Sequence, residues 1–215
     1  MTAALLIALV AGAELLRAVP HARTRMIAVA AWFVAAVTAA GVTGAVGGWG
    51  AAALAVGSAL WLALRWRLGA DAAMGALIVV AGLLLLADGG PDRTAAIIAG
   101  LGSAVLLAHT SNEVCRDVIA RARTAPEGEA LVEPLPRLRG GRFIGPLERW
   151  LIVALALVGA EGVVVGLMAA KGIGRFPEIS GDKGRGSTAE EFLVGSLVSW
   201  ALAGAAALLI GVLRP

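Results

Sequence analysis

Seven stretches of this chain, at 3–19, 26–46, 51–66, 70–87, 94–108, 151–170 and 192–213, are apolar enough to cross a lipid bilayer, and they occupy most of its 215 residues. Lipid offers a backbone no hydrogen-bond partner, so an open chain crosses about 30 Å of hydrocarbon as a helix of about 20 apolar residues. Hydrophobic residues make up 59% and charged residues 15%, against roughly 45–50% and about 25% in soluble domains. Mean hydropathy is +0.87. The expected fold is an all-α polytopic transmembrane bundle of about seven spans. It divides into a five-span region at 1–109, a helix extension with a Pro/Gly-rich linker at 110–146, and a two-span region at 147–215 with a polar loop at 171–191. Gly47-Gly48-Trp49-Gly50 is expected to turn the chain between the second and third spans.

Positively charged loops stay in the cytoplasm. With seven alternating spans, Arg17, Arg23, Arg25, Arg65, Arg67, Arg116, Arg121, Arg123, Arg137, Arg139, Arg142, Arg149 and Arg214 share one side, 13 of the 18 Lys and Arg. Arg93, Lys171, Arg175, Lys183 and Arg185 take the other, so the expected topology is N-outside, C-inside. Residues 1–13 carry no basic residue, unlike the start of a cleavable signal peptide, and the first segment reads as a retained span.

The pI near 10.0 follows from those loops, which attract anionic lipid at about 1 kcal/mol per basic residue. Membrane lipid, with an anionic lipid or small anionic ligand at a polar site, is the expected partner, and nucleic acid is not: 137–149 lacks interleaved stacking aromatics. Cys115 is the sole cysteine, which excludes an intramolecular disulfide, a CxxC pair and a cysteine zinc cluster. The many Ala and Gly residues allow close helix contacts within one chain or in a homo- or hetero-oligomer.

Two polar segments interrupt the pattern. Residues 112–123 read as a continuation of the fifth helix, with Val114 and Val118 on one stripe and Glu113, Arg116 and Asp117 on a solvated face. Pro126, Pro134 and Pro136 then exclude regular structure until Pro146, placed at the first turn of the sixth helix. The second segment, 171–191, carries dense charge, and Ser187-x-x-Glu190 and Thr188-x-x-Glu191 both match a capping box opening the seventh helix.

The run Gly141-Arg142-Phe143-Ile144-Gly145-Pro146-Leu147-Glu148-Arg149-Trp150-Leu151-Ile152, then Ala169-Ala170-Lys171, Arg175-Phe176 and Glu190-Glu191-Phe192-Leu193-Val194-Gly195-Ser196, resembles the C-terminal region of a family of multi-span bacterial membrane proteins. The resemblance covers about the last third of the chain. It implies a multi-pass protein of the bacterial cytoplasmic membrane and brings no established activity or cofactor with it. The chain departs from that pattern at Glu161, where relatives carry Gln, and at Glu191, where they carry an aromatic residue.

Glu161 should lie mid-way along the sixth span, where an ionised carboxylate costs about 2.5–3.5 kcal/mol. It reads either as a proton-relay or catalytic carboxyl or as a neutral Glu hydrogen-bonded within the bundle, with Gly162 and Gly166 admitting a neighbouring helix. Lys171, Arg175, Glu178 and Glu190 form the candidate ligand-binding cluster, since Arg presents a fork suited to phosphate or carboxylate; the plainer reading is snorkelling and local pairing. His109, Asn112, Arg142 and Glu148 form a second candidate polar cluster. Glu14 and Arg17 are an i,i+3 pair. His21 has no second His beside it, and no metal or other cofactor is expected.

The chain has no phosphate-binding Gly-rich loop followed by Lys and Ser or Thr, no HExxH and no GxSxG. Three readings stand. The first is a non-catalytic lipid- or partner-binding membrane component. The second is an intramembrane enzyme acting on a lipid, with Glu161 as acid or base, and the third is a small proton-coupled transporter. Convergence of Glu161, Lys171, Arg175 and Glu190 on one cavity would favour the enzyme. A polar file from Glu14 to Glu161 would favour transport.

Overall fold

A computed structural model describes residues 1–88, 90–123, 141–180 and 187–215, with the main chain alone at 141–142, 175–180 and 187–188. The described residues form helices and no strand: α1 Thr2–Leu16, α2 Ala22–Val42, α3 Gly48–Arg67, α4 Ala70–Ala87, α5 Arg93–Ala108, α6 Thr110–Arg123, α7 Gly141–Leu157, α8 Glu161–Ser180 and α9 Ser187–Leu213. The protein is thus an all-α bundle. Four stretches, Ala22–Val42, Gly48–Arg67, Ala70–Ala87 and Ala189–Leu213, are long and apolar enough to cross a membrane, and α5 with α6, bent by 47°, makes up to five.

The centre of the bundle is α1. It is apolar on every side, and a helix of that kind needs neighbours all round; α2, α3, α4 and α5 supply them. Ala3, Ala4, Leu6 and Val10 are fully buried. Its 15 residues cover only about 22 Å, less than the hydrocarbon thickness, which a helix wrapped in protein tolerates. The expected span to residue 19 is cut at Leu16, where the chain turns toward Pro20. The tightest approach is to α5. A Cβ on Gly102 would stand 3.0 Å from the backbone nitrogen of Ala8 and 3.1 Å from its Cα, so the two backbones cross where only glycine fits. On the α2 side, the Trp32 indole N–H donates to the Leu9 carbonyl at 2.9 Å.

The turn expected at 47–50 lies earlier. α2 ends at Val42, Gly44 takes the left-handed conformation at φ 68°, and Trp49 and Gly50 already belong to α3. The Thr43 hydroxyl donates to the Ala39 carbonyl at 2.7 Å, which closes α2 before the glycines at 47–48 are reached.

The larger correction concerns 151–170, expected as one span. The helix stops at Leu157, Gly159 adopts φ 74°, and α8 starts at Glu161. Lys171 Nζ of α8 then lies 2.6 Å from Glu148 Oε2 of α7. Each residue stands about 15 Å of helix from the break, so the pair closes only because α8 folds back along α7. Gly162 and Gly166, expected to admit a neighbouring helix, have nothing within 4 Å of where a Cβ would be. Pro146 sits inside α7 rather than in its first turn, because the helix begins at Gly141.

This extra reversal changes where the chain finishes. The Met1 ammonium and the Ala3 N–H both bond Asp88 Oδ2 at 3.1 Å, and the Asp92 N–H donates to the Leu213 carbonyl at 2.9 Å. The start of α1 and the end of α9 therefore share one end of the bundle, and α6 lies at the other. At the shared end Asp88 is held below the usual carboxylate range: burial alone would raise it, but the Ala3 N–H, the terminal ammonium and the Thr2 hydroxyl outweigh that.

Gly102→Leu should lower the melting temperature in detergent, with a loss of about 1–3 kcal/mol from overpacking, whereas Gly75→Leu, on an open face of α4, should leave it nearly unchanged. Equal melting of the two variants would refute a tight α1–α5 crossing.

Candidate functional site

The charged side chains gather at the α6 end. Glu14 lies in the last turn of the buried helix α1 with its side chain only 5% exposed, and a carboxylate that deep needs cationic partners. Arg17 Nη1 lies 3.1 Å from Glu14 Oε2 and Arg65 Nε 3.4 Å from Glu14 Oε1. Both arginines also reach Glu113 of α6: Arg17 Nη1 at 3.4 Å, and Arg65 through Nη2 in direct contact. The expected Glu14–Arg17 pair is thus half of a four-residue network joining α1, α3 and α6.

The bend at His109 makes this possible. It lays α6 across the ends of α4 and α9, with Val114 buried beneath. Its acids, expected on a solvated face, point into helix contacts instead. Asp117 Oδ2 accepts the Ala70 N–H at 2.7 Å and so caps α4, while Arg121 Nε lies 2.7 Å from Asp71 Oδ2. Arg116 is exposed as expected.

A second network lies between α5, α6, α7, α8 and α9. Arg149 is 2% exposed; its Nε donates to the Leu107 carbonyl at 2.8 Å, Nη1 to Ser199 Oγ at 3.0 Å and Nη2 to Asn112 Oδ1 at 2.7 Å. The planar guanidinium fork thereby ties α7 to three other helices. The next residue back, Glu148, points to different partners: Lys171, and the Trp200 indole N–H at 2.9 Å. The Lys171 ammonium also lies 5.4 Å from the centre of the Trp200 ring, within cation–π range.

Of the residues singled out from sequence, Lys171 and Glu148 meet although they were assigned to separate clusters, because α8 reverses. Asn112 joins Arg149. His109 is exposed and outside both networks. Glu190 is exposed on the first turn of α9, and Glu161 is exposed on the first turn of α8. Glu161 therefore does not sit mid-helix; it stands about 15 Å of helix from Lys171, so these two described residues do not meet. The side chains of Arg142, Arg175, Glu178, Ser187 and Thr188 lie outside the described residues. Among the described residues no group of three or more His, Cys, Asp or Glu is placed to hold a metal.

Sequence reasoning missed Arg65, Arg149 and Trp200. Arg149 carried a signal, since adjacent opposite charges directly before an apolar run need buried partners. Arg65 carried none beyond its place in the charge tally.

Several recesses open between the helices, among them three that lie against α1 or its neighbours. One, of about 250 Å³, lies between α4 and α9 over α5. Another, of about 360 Å³ and more polar, lies between α1, α2 and α3 at the α6 end. The third, of about 550 Å³, is a shallow apolar hollow between α1, α2 and α5. Comparison of the chain with protein-family models, curated proteins and solved structures returned no match.

Arg65→Met leaves Glu14 with Arg17 as its remaining cationic partner and should cost about 1.5–3 kcal/mol of stability, the loss of a charged hydrogen bond. Glu14→Gln added to it should restore part of the loss, read as melting temperature in mild detergent. A double variant no more stable than Arg65→Met would show that the network does not couple these helices.

Proposed function

We propose that this chain is an integral membrane protein acting as a non-catalytic, lipid-binding component of its membrane. The observation that carries the reading is the groove between α4 and α9. Leu77 and Ile78 of α4 and Leu202 and Leu209 of α9 form its walls, and Ser103 and Leu106 of α5 its floor. Its lining is almost wholly apolar, and the Ser111 hydroxyl at its base is committed to the Leu106 carbonyl at 3.2 Å. Exposed Ile78, Leu208 and Val212 line it where it opens, so the groove opens within the apolar belt of the bundle. A slot of this chemistry running along the helices suits a lipid acyl chain.

The charged networks support the same reading. Their members bond to one another across helices, which commits them to holding the bundle together. The distribution of the remaining charge supports an orientation. Among the described basic residues, Arg93 and Arg214 stand at the end where α1 starts, and Arg17, Arg23, Arg25, Arg65, Arg67, Arg116, Arg121 and Arg123 stand at the α6 end. Positive loops stay inside, so the α6 end is cytoplasmic. Eight helix passages then replace the seven spans of the sequence reading, with the start of α1 and the end of α9 both outside. The C-terminal motifs align the protein, by resemblance, with multi-span proteins of the bacterial cytoplasmic membrane.

Native mass spectrometry in mild detergent should find phospholipid retained by the wild type and depleted in Gly82→Trp, which fills the groove where glycine leaves open space. Equal retention by both would sink the groove as the lipid site. In a Cys115→Ser background, Thr43→Cys and Pro215→Cys should be labelled by an impermeant maleimide from one side of the membrane and Arg67→Cys from the other. Labelling of positions 43 and 215 from opposite faces would overturn the eight-passage topology.

A further inference from the structure

We propose that the cleft between α1, α2 and α3 is a binding site for a phosphate-bearing anion, independent of the lipid groove. Its wall brings together Arg17, Arg25, Arg65, Glu14, Trp61 and Trp66, around a volume of about 360 Å³. The charge balance is the first argument. Glu14, in the wall, and Glu113, behind it, are both committed to Arg17 and Arg65. Three guanidiniums thus face two carboxylates, and the excess positive charge is that of Arg25.

The second argument is hydrogen bonding. Arg25 is half-buried, and among the described residues its guanidinium has no partner. The same holds for the indole N–H groups of Trp61, which is buried, and of Trp66. Ala22, which also lines the cleft, opens α2, whose N-cap His21 makes no side-chain capping bond, so the positive end of the helix dipole faces the same space. The cleft therefore offers unused donors in excess. Phosphate oxygens, with several lone pairs and a negative charge, match such a set better than a carboxylate, and a guanidinium is well shaped to grip them.

The surroundings suit an amphiphilic ester. Met26 is 49% and Trp66 60% exposed beside the mouth, with Val29 and Leu62 deeper in the wall. The same chemistry would take a lipid head-group phosphate or a free phosphate, and the two sources are separable by experiment.

The test uses the full chain in a neutral maltoside detergent, with Gly82→Trp as background so that the groove is closed whatever its role. Short-chain phosphatidylglycerol, inorganic phosphate and a phosphate-free diacylglycerol of equal chain length are titrated and followed by native mass spectrometry. Phosphatidylglycerol should bind, and Arg25→Ala should weaken it about tenfold, the loss of one charge-assisted hydrogen bond. Arg25→Lys should recover part of the affinity. Trp61→Phe, which keeps a ring and removes the N–H, should weaken binding less. Diacylglycerol should not distinguish Arg25→Ala from its parent. Inorganic phosphate binding as tightly as phosphatidylglycerol, with the same loss in Arg25→Ala, would support the site and name a soluble phosphate as its ligand. Unchanged affinity of Arg25→Ala for both phosphate probes, or binding of neither, would overturn the proposal. The Arg25 side chain makes no hydrogen bond or ion pair within the described residues for its truncation to break, and equal melting of the variant and its parent confirms that binding is what is read.

Discussion

A carboxylate at the tip of a helix surrounded by other helices sets the terms for the rest of this bundle. Glu14 is only 5% exposed among α1, α3 and α6, so its charge has to be met by side chains that other elements deliver. Arg65 comes from the last turn of α3 and Arg17 from the residue after α1, and Glu113 balances them from α6. Each partner fixes one helix end relative to α1. The bend between α5 and α6 follows, because a straight continuation would carry Glu113 away from the two arginines and Asp117 away from the start of α4.

The second network repeats the solution with different chemistry. Arg149 finds only neutral acceptors, a carbonyl, a hydroxyl and an amide oxygen, whereas its neighbour Glu148 finds a full ion pair. Buried guanidiniums keep their charge, so the three acceptors hold α5, α6 and α9 at fixed distances around one side chain. Together the networks form a charged layer at the end of the bundle where α6 lies, above a body of Ala, Leu and Val. The cleft beside Arg25 is the part of that layer whose donors outnumber its acceptors.

Much of this architecture was legible in the sequence. The apolar runs at 26–46, 51–66, 70–87 and 192–213 each correspond to a helix, because length and hydropathy are properties of the segment alone. The Glu14–Arg17 pair was legible for the same local reason. Long-range partners were not: nothing in residues 61–67 says that Arg65 meets α1 and α6 rather than water. The hairpin at 158–160 was hidden by composition. Val158-Gly159-Ala160 is as apolar as the helices it separates, so hydropathy runs through it, and only the left-handed φ of Gly159 reveals the turn. That one reversal misplaced Glu161, split Lys171 from Glu148 and moved the end of the chain to the opposite face.

On the proposed function, the α7–α8 hairpin also bears on how the chain enters a membrane. In the proposed eight-passage topology only its tip, the short turn and Glu161, has to travel to the far side, since Glu148 and Lys171 stand together at the other end. Glu148 and Lys171 lie at matching heights on the two arms and meet as a neutral pair, so the hairpin can enter lipid with these two charges cancelled, while Arg149 beside them finds its acceptors only when the hairpin meets α5, α6 and α9. Two helices inserted one at a time would each carry its charge, Glu148 or Lys171, without its partner. The hairpin is therefore a unit of assembly as well as of packing, ready to dock on α9 through Trp200 once it is in place.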